Sequence, residues 1–220
     1  IISGNAELAM DTREKKRRNT YLNNIEVVCR HVVHLLNNLL DVYRLNEAKE
    51  IRNDVSFDLH RLLERTASGF SHVVNNKGIL FDCDFRDTEV RLYGDADRIE
   101  QIIDNLLTNA VKFTESGTIS FNVRYCNGNL ILEVKDTGIG MTEETLSRIF
   151  RPFERQTSAA NADGYGLGLP ITQGLVNLLG GTIGVTSSID RGSTFRVTLP
   201  LPETDEPVES KNRIRLHSAY

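Results

Sequence analysis

The first fifty residues repeat apolar positions three and four residues apart, which is the spacing of one helix face. A short run ending at Met10 is followed by a charged stretch, residues 11–19, and then by an unbroken heptad repeat from Leu22 to Tyr43. This pattern predicts two antiparallel helices joined by a solvated connector rather than a basic nucleic-acid-binding patch. Two helices bury little surface, so we expect a second copy of the chain to complete a four-helix bundle.

A change of pattern near residue 52 marks the start of a second, mixed unit. Its strands alternate between apolar and polar residues, and its helices repeat apolar residues at helical spacing. The predicted strands cover about residues 55–59, 79–85, 90–93, 118–126, 130–135, 182–189 and 194–201, and the predicted helices cover about residues 58–75, 95–114 and 164–179. The fold class is therefore α+β, with a hairpin over residues 1–52, a mixed domain over 53–201, and a linker or disordered tail over 202–220.

The helix predicted over residues 95–114 carries a polar stripe beside its apolar face. Asn105, Asn109 and Lys112 lie at positions i, i+4 and i+7 of this helix. A carboxamide oxygen can bind Mg²⁺, which takes its other ligands from water and phosphates, and a lysine can bind phosphate oxygens. The stripe is a candidate site for a metal-bound polyphosphate. The alternative is a half-buried helix with solvated amides.

Two glycine-rich segments add candidate ligand contacts. The segment Asp136-Thr-Gly-Ile-Gly140 follows a strand, and its glycines allow the backbone to approach a flat ligand. A buried carboxylate there needs a hydrogen-bond donor, such as the exocyclic amine of adenine; the alternative is a turn with a solvent-exposed aspartate. The segment Gly164-Tyr-Gly-Leu-Gly-Leu-Pro170 begins a helix, where unpaired N–H groups favour phosphate.

The composition of the chain narrows the possible functions and cellular locations further. A net charge of −4 argues against a general nucleic-acid binder. The three cysteines are widely spaced and typical of reduced thiols in the cytoplasm, and no apolar run reaches membrane-spanning length. The chain begins without Met inside a helical pattern, so we expect a cytoplasmic piece of a longer protein. The alternatives for the longer protein are a free one and one anchored in the inner membrane.

Five segments, taken in order, closely resemble the catalytic, ATP-binding domain of sensor histidine kinases over roughly residues 53–201. They match that family's N, G1, F, G2 and G3 boxes: Asn105-Leu-Leu-Thr-Asn-Ala-Val-Lys-Phe-Thr114, Asp136-Thr-Gly-Ile-Gly140, Phe150-Arg-Pro-Phe153, Gly164-Tyr-Gly-Leu-Gly168 and Gly192-Ser-Thr-Phe195. One such box is weak support, whereas five in order are specific. Residues 1–50 resemble the family's dimerisation hairpin.

The resemblance implies a two-layer α/β sandwich, the Bergerat-type fold shared with gyrase, Hsp90 and MutL, with ATP beneath a mobile lid. By position, Asp136 would accept from the adenine amine and Asn109 would ligate Mg²⁺, while Asn105 and Lys112 would face the phosphates. The other implied contacts are Gly138, Ile139 and Gly140 at the base, Phe113 near it, Gly164, Gly166, Leu167, Gly168 and Leu169 over the phosphates and ribose, and Arg155 at the start of the lid.

The resemblance also implies a reaction, in which the γ-phosphate of ATP passes to a histidine and then to a response-regulator receiver domain. The ATPases of this superfamily have a glutamate at the position of Asn105, where it activates water, and an asparagine cannot accept that proton. We therefore expect slow ATP hydrolysis. One alternative is a nucleotide-sensing, dimerising pseudo-kinase. The other is a gyrase- or MutL-type ATPase, and this second alternative is disfavoured by Asn105 and the heptad hairpin.

The chain departs from the family at the phosphoacceptor histidine, which normally precedes an acidic residue in the first hairpin helix. None of the histidines has that context: His31, His34, His60, His72 and His217. Residues 1–8 resemble the segment that comes directly after the acceptor box in the family. We expect the acceptor to lie upstream, so that this chain binds Mg-ATP but cannot phosphorylate itself.

Overall fold

A computed structural model describes residues 1–46, 52–154 and 166–205 of the chain. Its first helices, α1 (Ile2–Asp11) and α2 (Lys15–Asn46), pack against each other as a hairpin, as predicted. The connector is shorter than the predicted residues 11–19, since only residues 12–14 lie outside the two helices. Lysine and arginine are good helix formers, so the charged run extends α2 instead of interrupting it.

The rest of the described chain forms a mixed α/β unit. Its elements are, in order, β1 (Val55–Asp58), α3 (Leu59–Asn76), β2 (Leu80–Arg86), β3 (Arg91–Gly94), α4 (Ala96–Phe113), β4 (Thr118–Cys126), β5 (Asn129–Asp136), α5 (Glu143–Leu146), α6 (Gly168–Leu178), β6 (Thr182–Ser188) and β7 (Gly192–Pro200). Five strands form one sheet in the order β2-β4-β5-β7-β6, in which only the β2–β4 pair is parallel. Strands β1 and β3 form a separate antiparallel pair.

One face of the five-stranded sheet packs against α3, α4 and α6, which confirms the predicted two-layer sandwich. Buried residues alternate with more exposed ones along β4, β5 and β7, because one face of the sheet meets the core and the other meets water. Helix α4 lies between α3 and α6, and its residues Ile99, Ile103 and Leu106 are almost completely buried. The apolar side of α4 is therefore fixed in the core, which sets the position of its polar stripe.

The chain continues beside β3 after β7 ends. The main-chain N–H of Tyr93 donates to the carbonyl of Pro202 at 3.0 Å, and the N–H of Thr204 donates to the carbonyl of Arg91 at 3.0 Å. The first residues of the segment predicted as a tail, 202–205, therefore hydrogen-bond to the folded unit. Residues 206–220 lie outside the described part of the chain.

The hairpin contacts the α/β unit through α2, which packs against α6. Leu35 of α2 reaches the hydrophobic core, while other apolar residues of this helix, such as Leu22, Leu36 and Tyr43, are exposed. Among the helices that the structure describes, none combines the length and the apolar character that a membrane crossing requires.

Candidate functional site

The predicted polar stripe lies on the second half of α4. Asn105, Asn109 and Lys112 are all half-buried, as is Phe113 at the end of the helix. The ammonium nitrogen of Lys112 lies 4.9 Å from the centroid of the Phe113 ring, within the range of a cation–π contact. The last two turns of α4 thus bring together two carboxamides, one cation and one aromatic ring.

Asp136 is the last residue of β5, and its side chain is only 5% exposed. Its Oδ1 accepts two main-chain hydrogen bonds, from the N–H of Gly138 at 2.9 Å and from the N–H of Ser193 at 3.3 Å. Burial raises the pKa of Asp136 above its ordinary value, and the two N–H donors partly offset this rise. Within the described part of the chain, Oδ2 has no hydrogen-bond donor, so it can accept one from a ligand.

The loop after Asp136 is fixed by contacts with the backbone of its neighbours. The N–H of Ile139 donates to the carbonyl of Phe113 at 3.3 Å, and the carbonyl of Ile139 accepts from the N–H of Asp190 at 2.9 Å. A Cβ on Gly138 would lie 2.2 Å from the Phe113 carbonyl oxygen, and one on Gly140 would lie 1.8 Å from that of Ser188. Both glycines are thus required by close packing of protein backbone, in addition to the predicted approach to a flat ligand.

Ser193 was not among the predicted site residues, although it lies in the last matched segment. Its main chain holds Asp136, and its hydroxyl lies 3.0 Å from the hydroxyl of Ser187, which also donates to the Gly192 carbonyl at 2.8 Å. Gly192 has a positive φ of 81°, and a Cβ there would lie 1.9 Å from the main-chain oxygen of Asp136. The glycine that begins β7 was the signal in the sequence that this strand approaches the main chain at Asp136 closely.

The N-terminus of α6 lies beside the stripe of α4. The side-chain nitrogen of Asn105 lies 3.5 Å from the carbonyl oxygen of Gly168 and 3.3 Å from the hydroxyl of Thr172. A Cβ on Gly168 would meet only the side-chain oxygen of Asn105, at 3.9 Å, so the space beside this turn is open. Thr172 was not predicted as a site residue, because a single threonine inside a helix carries no motif.

Some of the remaining predicted contacts lie in the described part of the chain, and others lie outside it. Leu167 is almost completely buried in the core, so only its main chain can face a ligand, whereas Leu169 is half-buried. Gly166 has a positive φ of 70°, and its carbonyl accepts from the N–H of Phe153 at 3.0 Å. The predicted contacts Arg155 and Gly164 lie outside the described residues.

The polar groups of these residues fit a nucleotide bound together with a hard cation. Asp136 has an oxygen available for an amine, Asn109 has a carboxamide oxygen for Mg²⁺, and the α6 N-terminus has helical N–H groups and open space for phosphate. Within the described ranges, no group of three or more His, Cys, Asp or Glu side chains could hold a metal ion. A cation bound here would therefore take most of its ligands from phosphates and water.

Comparison with known proteins identifies the class independently. Residues 94–203 match the family described as histidine kinase-, DNA gyrase B- and HSP90-like ATPase. The sensor protein GacS of Pseudomonas syringae pv. syringae is 31% identical over 223 residues, which cover 98% of this chain and 25% of GacS. The signal transduction histidine-protein kinase BarA of Escherichia coli is 35% identical over 202 residues, covering 88% of this chain and 22% of BarA.

A solved structure gives the same result at the level of the fold. The crystal structure of full-length ShkA in complex with AMPPNP aligns with a TM-score of 0.77 and 29% identity, covering 91% of this chain and 43% of ShkA. The fold and the site therefore define a nucleotide-binding domain of the ATPase type. The chain belongs to the histidine kinase-, DNA gyrase B- and HSP90-like ATPase family, which confirms the resemblance of its five boxes. It spans about a quarter of the length of the curated relatives it matches.

Proposed function

We propose that this chain is the ATP-binding, catalytic portion of a sensor histidine kinase. In the longer protein, the γ-phosphate of ATP passes to a histidine and then to an aspartate of a response-regulator receiver domain. The observation that carries the proposal is the state of Asp136: one oxygen accepts from two main-chain N–H groups, and the other has no donor among the described residues. An adenine amine is a donor of the right kind, and the similar protein ShkA was crystallised with the ATP analogue AMPPNP.

The polyphosphate is expected along α4 and the N-terminus of α6. Asn109 would hold Mg²⁺ through its carboxamide oxygen, and bound Mg²⁺ supplies charge neutralisation at the phosphates. Lys112 adds a positive charge on the same stripe, and the first N–H groups of α6 bind phosphate oxygens from the other side. Phosphoryl transfer needs mainly positioning and charge stabilisation, and these groups supply both.

The absence of a general base at position 105 favours transfer over hydrolysis. The carboxamide of Asn105 cannot take a proton from water as a glutamate can. We therefore expect slow steady-state hydrolysis of ATP by this chain. A rapid hydrolysis that Asn105→Ala abolishes would refute this part of the proposal.

The same proposal implies the remaining partners. The exposed apolar residues of α2 support a homodimer through the hairpin. The proposed phosphoacceptor is a histidine of the longer protein that is not among residues 1–220. The receiver domain of a response regulator is the onward phosphate acceptor. We assign this piece of the protein to the cytoplasm, where ATP and receiver domains are found.

The decisive experiment measures incorporation of labelled γ-phosphate from Mg-ATP into two chains. One is the present chain, and the other extends upstream through the whole first hairpin helix. We expect acid-labile phosphate in the extended chain alone, and Asn109→Ala should abolish it. Asn75→Ala, an exposed asparagine on α3, is the matched control and should leave labelling unchanged.

Two outcomes would count against the proposal. Labelling of the present chain would place the acceptor inside it and make His31 or His34 the suspect, whose side chains lie outside the described part of the structure. Tight binding of ATP without any labelling of the extended chain would favour the pseudo-kinase alternative.

A further inference from the structure

Thr172 links the two helices that border the proposed phosphate site. It lies one turn into α6, its side chain is fully buried, and its hydroxyl donates to the carbonyl of Gly168 at 2.9 Å. A hydroxyl has one proton and can also accept. Because the hydroxyl proton of Thr172 is used in the hydrogen bond to the Gly168 carbonyl, the hydroxyl oxygen can accept a hydrogen bond from the side-chain nitrogen of Asn105, 3.3 Å away.

The Gly168 carbonyl settles which way the Asn105 amide points. A carbonyl oxygen can only accept, so the Asn105 atom 3.5 Å from it must be the NH₂ group. An amide turned the other way would place two acceptor oxygens against each other. The NH₂ of Asn105 is thus directed at α6, and its Oδ1 is left to accept.

This orientation changes what Asn105 can do at the site. With its NH₂ group directed at Gly168 and Thr172, it offers an acceptor rather than a donor. The amide oxygen of Asn105 can accept a hydrogen bond from water or from an N–H group, or it can ligate a cation, whereas it repels a phosphate oxygen. Asn105 is therefore expected to contact an electropositive group next to the phosphates rather than the phosphate oxygens themselves.

We propose that Thr172 is a positioning residue, whose buried hydroxyl fixes the Asn105 amide so that Oδ1 is presented as an acceptor beside the nucleotide phosphates. The statement about catalysis rests on the proposed kinase function, but the orientation of the amide does not. Without the hydroxyl, the Asn105 NH₂ keeps only the longer contact to Gly168, and the amide becomes free to rotate.

The orientation can be tested on the present chain without nucleotide. In ¹⁵N-correlated NMR spectra, the Asn105 side-chain NH₂ signals are assigned by their loss in Asn105→Ala. We expect Thr172→Val to shift these signals and to speed their exchange with water about fivefold, as loss of one hydrogen bond would do. Thr172→Ser, which keeps the hydroxyl, should leave them near the wild-type values.

A matched control separates this effect from the loss of any buried threonine. Thr66 is also buried within a helix, and its hydroxyl donates to the carbonyl four residues earlier at 3.0 Å, but it has no asparagine partner among the described residues. Thr66→Val should leave the Asn105 signals unchanged. Unchanged Asn105 signals in Thr172→Val would overturn the proposal. If the valine variant does not fold, Thr172→Ala provides the same comparison.

The catalytic consequence is measured as transfer of γ-phosphate in the chain extended upstream. Thr172→Val should slow transfer at saturating ATP about fivefold, while the Kd for ATP changes less than about twofold. In an Asn105→Ala background, Thr172→Val should have no further effect. An equal slowing in both backgrounds would show that Thr172 acts independently of Asn105 and would overturn the positioning role. Absence of transfer in the wild type would refute the kinase function instead, and the NMR result would still decide the orientation.

Discussion

The main-chain N–H of Asn53 donates to Oδ2 of Asp95 at 2.9 Å, while Oδ1 of the same carboxylate accepts from the N–H of Arg98 at 3.1 Å and caps α4. Asp95 is only 3% exposed. One side chain thus joins the first described residues of the α/β unit to the helix that carries the site. The position of α4 therefore depends on where the chain enters this unit.

We expect Asp95→Ala to lower the free energy of unfolding by about 2 kcal/mol, because it removes an N-cap and leaves a second N–H without its acceptor. Asp58 provides the matched comparison, since it caps α3 through the single N–H of Arg61 at 2.9 Å. Asp58→Ala should lower the free energy of unfolding by only about 1 kcal/mol. Urea unfolding of both variants measures the difference, and equal losses would contradict the double role of Asp95.

Asp136 is expected to favour ligand binding at the expense of stability. Burial raises its pKa in the folded chain, so its contribution to stability is present below the unfolded pKa and is lost as the pH rises through the folded pKa. Asp136→Asn stays neutral throughout. It should therefore raise the melting temperature of the nucleotide-free chain at neutral pH and have little effect at about pH 4.

The same substitution should weaken ATP binding by about 30-fold or more, because an NH₂ group can replace the acceptor that faces the adenine amine. Thermal melts with and without Mg-ATP between acidic and neutral pH measure both effects. Asp82→Asn, an exposed position on β2, is the control and should change neither. A lower melting temperature of Asp136→Asn at neutral pH would show that the N–H donors outweigh burial.

The local periodicity of the chain was enough to predict its main helices and strands, whereas the binding roles of the site residues stay a prediction. Apolar spacing placed α4 within a residue at each end. The glycines around Asp136 were predicted to approach a flat ligand, and the structure shows that they also pack against protein backbone. The contacts of Asp136 with Ser193 and of Asn105 with Thr172 join residues 57 and 67 positions apart. Such contacts depend on how the elements pack, and periodicity reports only the geometry within each element.

Lys77 is expected to stabilise the end of α4. Its ammonium group donates to the carbonyl of Val111 at 2.7 Å, in the last turn, where a positive charge also favours the helix dipole. Lys77→Met should lower the free energy of unfolding by about 1 kcal/mol. Because Lys112 and Phe113 lie in the same turn, the affinity for ATP should fall as well.

Calorimetry and nucleotide titration of three variants would test this. Lys77→Arg retains a donor and should lose less stability than the methionine variant. Lys135→Met removes an exposed lysine of β5 and should have no effect on ATP binding. An ATP affinity of Lys77→Met equal to that of the wild type would separate the capping contact from the site.

Cys83 is expected to be a poor nucleophile. Although the residue is exposed as a whole, neighbouring protein atoms partly bury its thiol and, with a smaller contribution from the charge of Asp82, raise its pKa from 9.0 to about 11. The thiolate is the reactive form, so at pH 8 alkylation by iodoacetamide should be about tenfold slower than for an unperturbed thiol.

Asp82→Asn should speed the reaction only slightly, because burial is the larger cause. Glu115→Gln is the charge control, and peptide mapping by mass spectrometry separates Cys83 from Cys29 and Cys126. Alkylation of Cys83 as fast as that of a free thiol would contradict this expectation.

The exposed apolar residues of the hairpin should make the chain associate with a second copy. Leu36 is 54% exposed on α2, and Leu40 is 50% exposed one turn later, although both belong to an apolar stripe. Bringing two such stripes together removes their apolar surface from water, which favours association. We therefore expect a concentration-dependent dimer by sedimentation analysis.

Replacement of both leucines by glutamate should yield a monomer over the same concentration range, because dimerisation would then bury like charges. Ile189→Glu is the matched control, since this residue is 55% exposed in the turn between β6 and β7 and is not part of the hairpin. It should leave the dimer intact. If the control dissociates the dimer and the double variant does not, the chain associates through its α/β unit. A wild-type chain that is monomeric at all concentrations would show that the described hairpin is too short to hold two copies together, because a bundle of two long and two short helices buries less apolar surface.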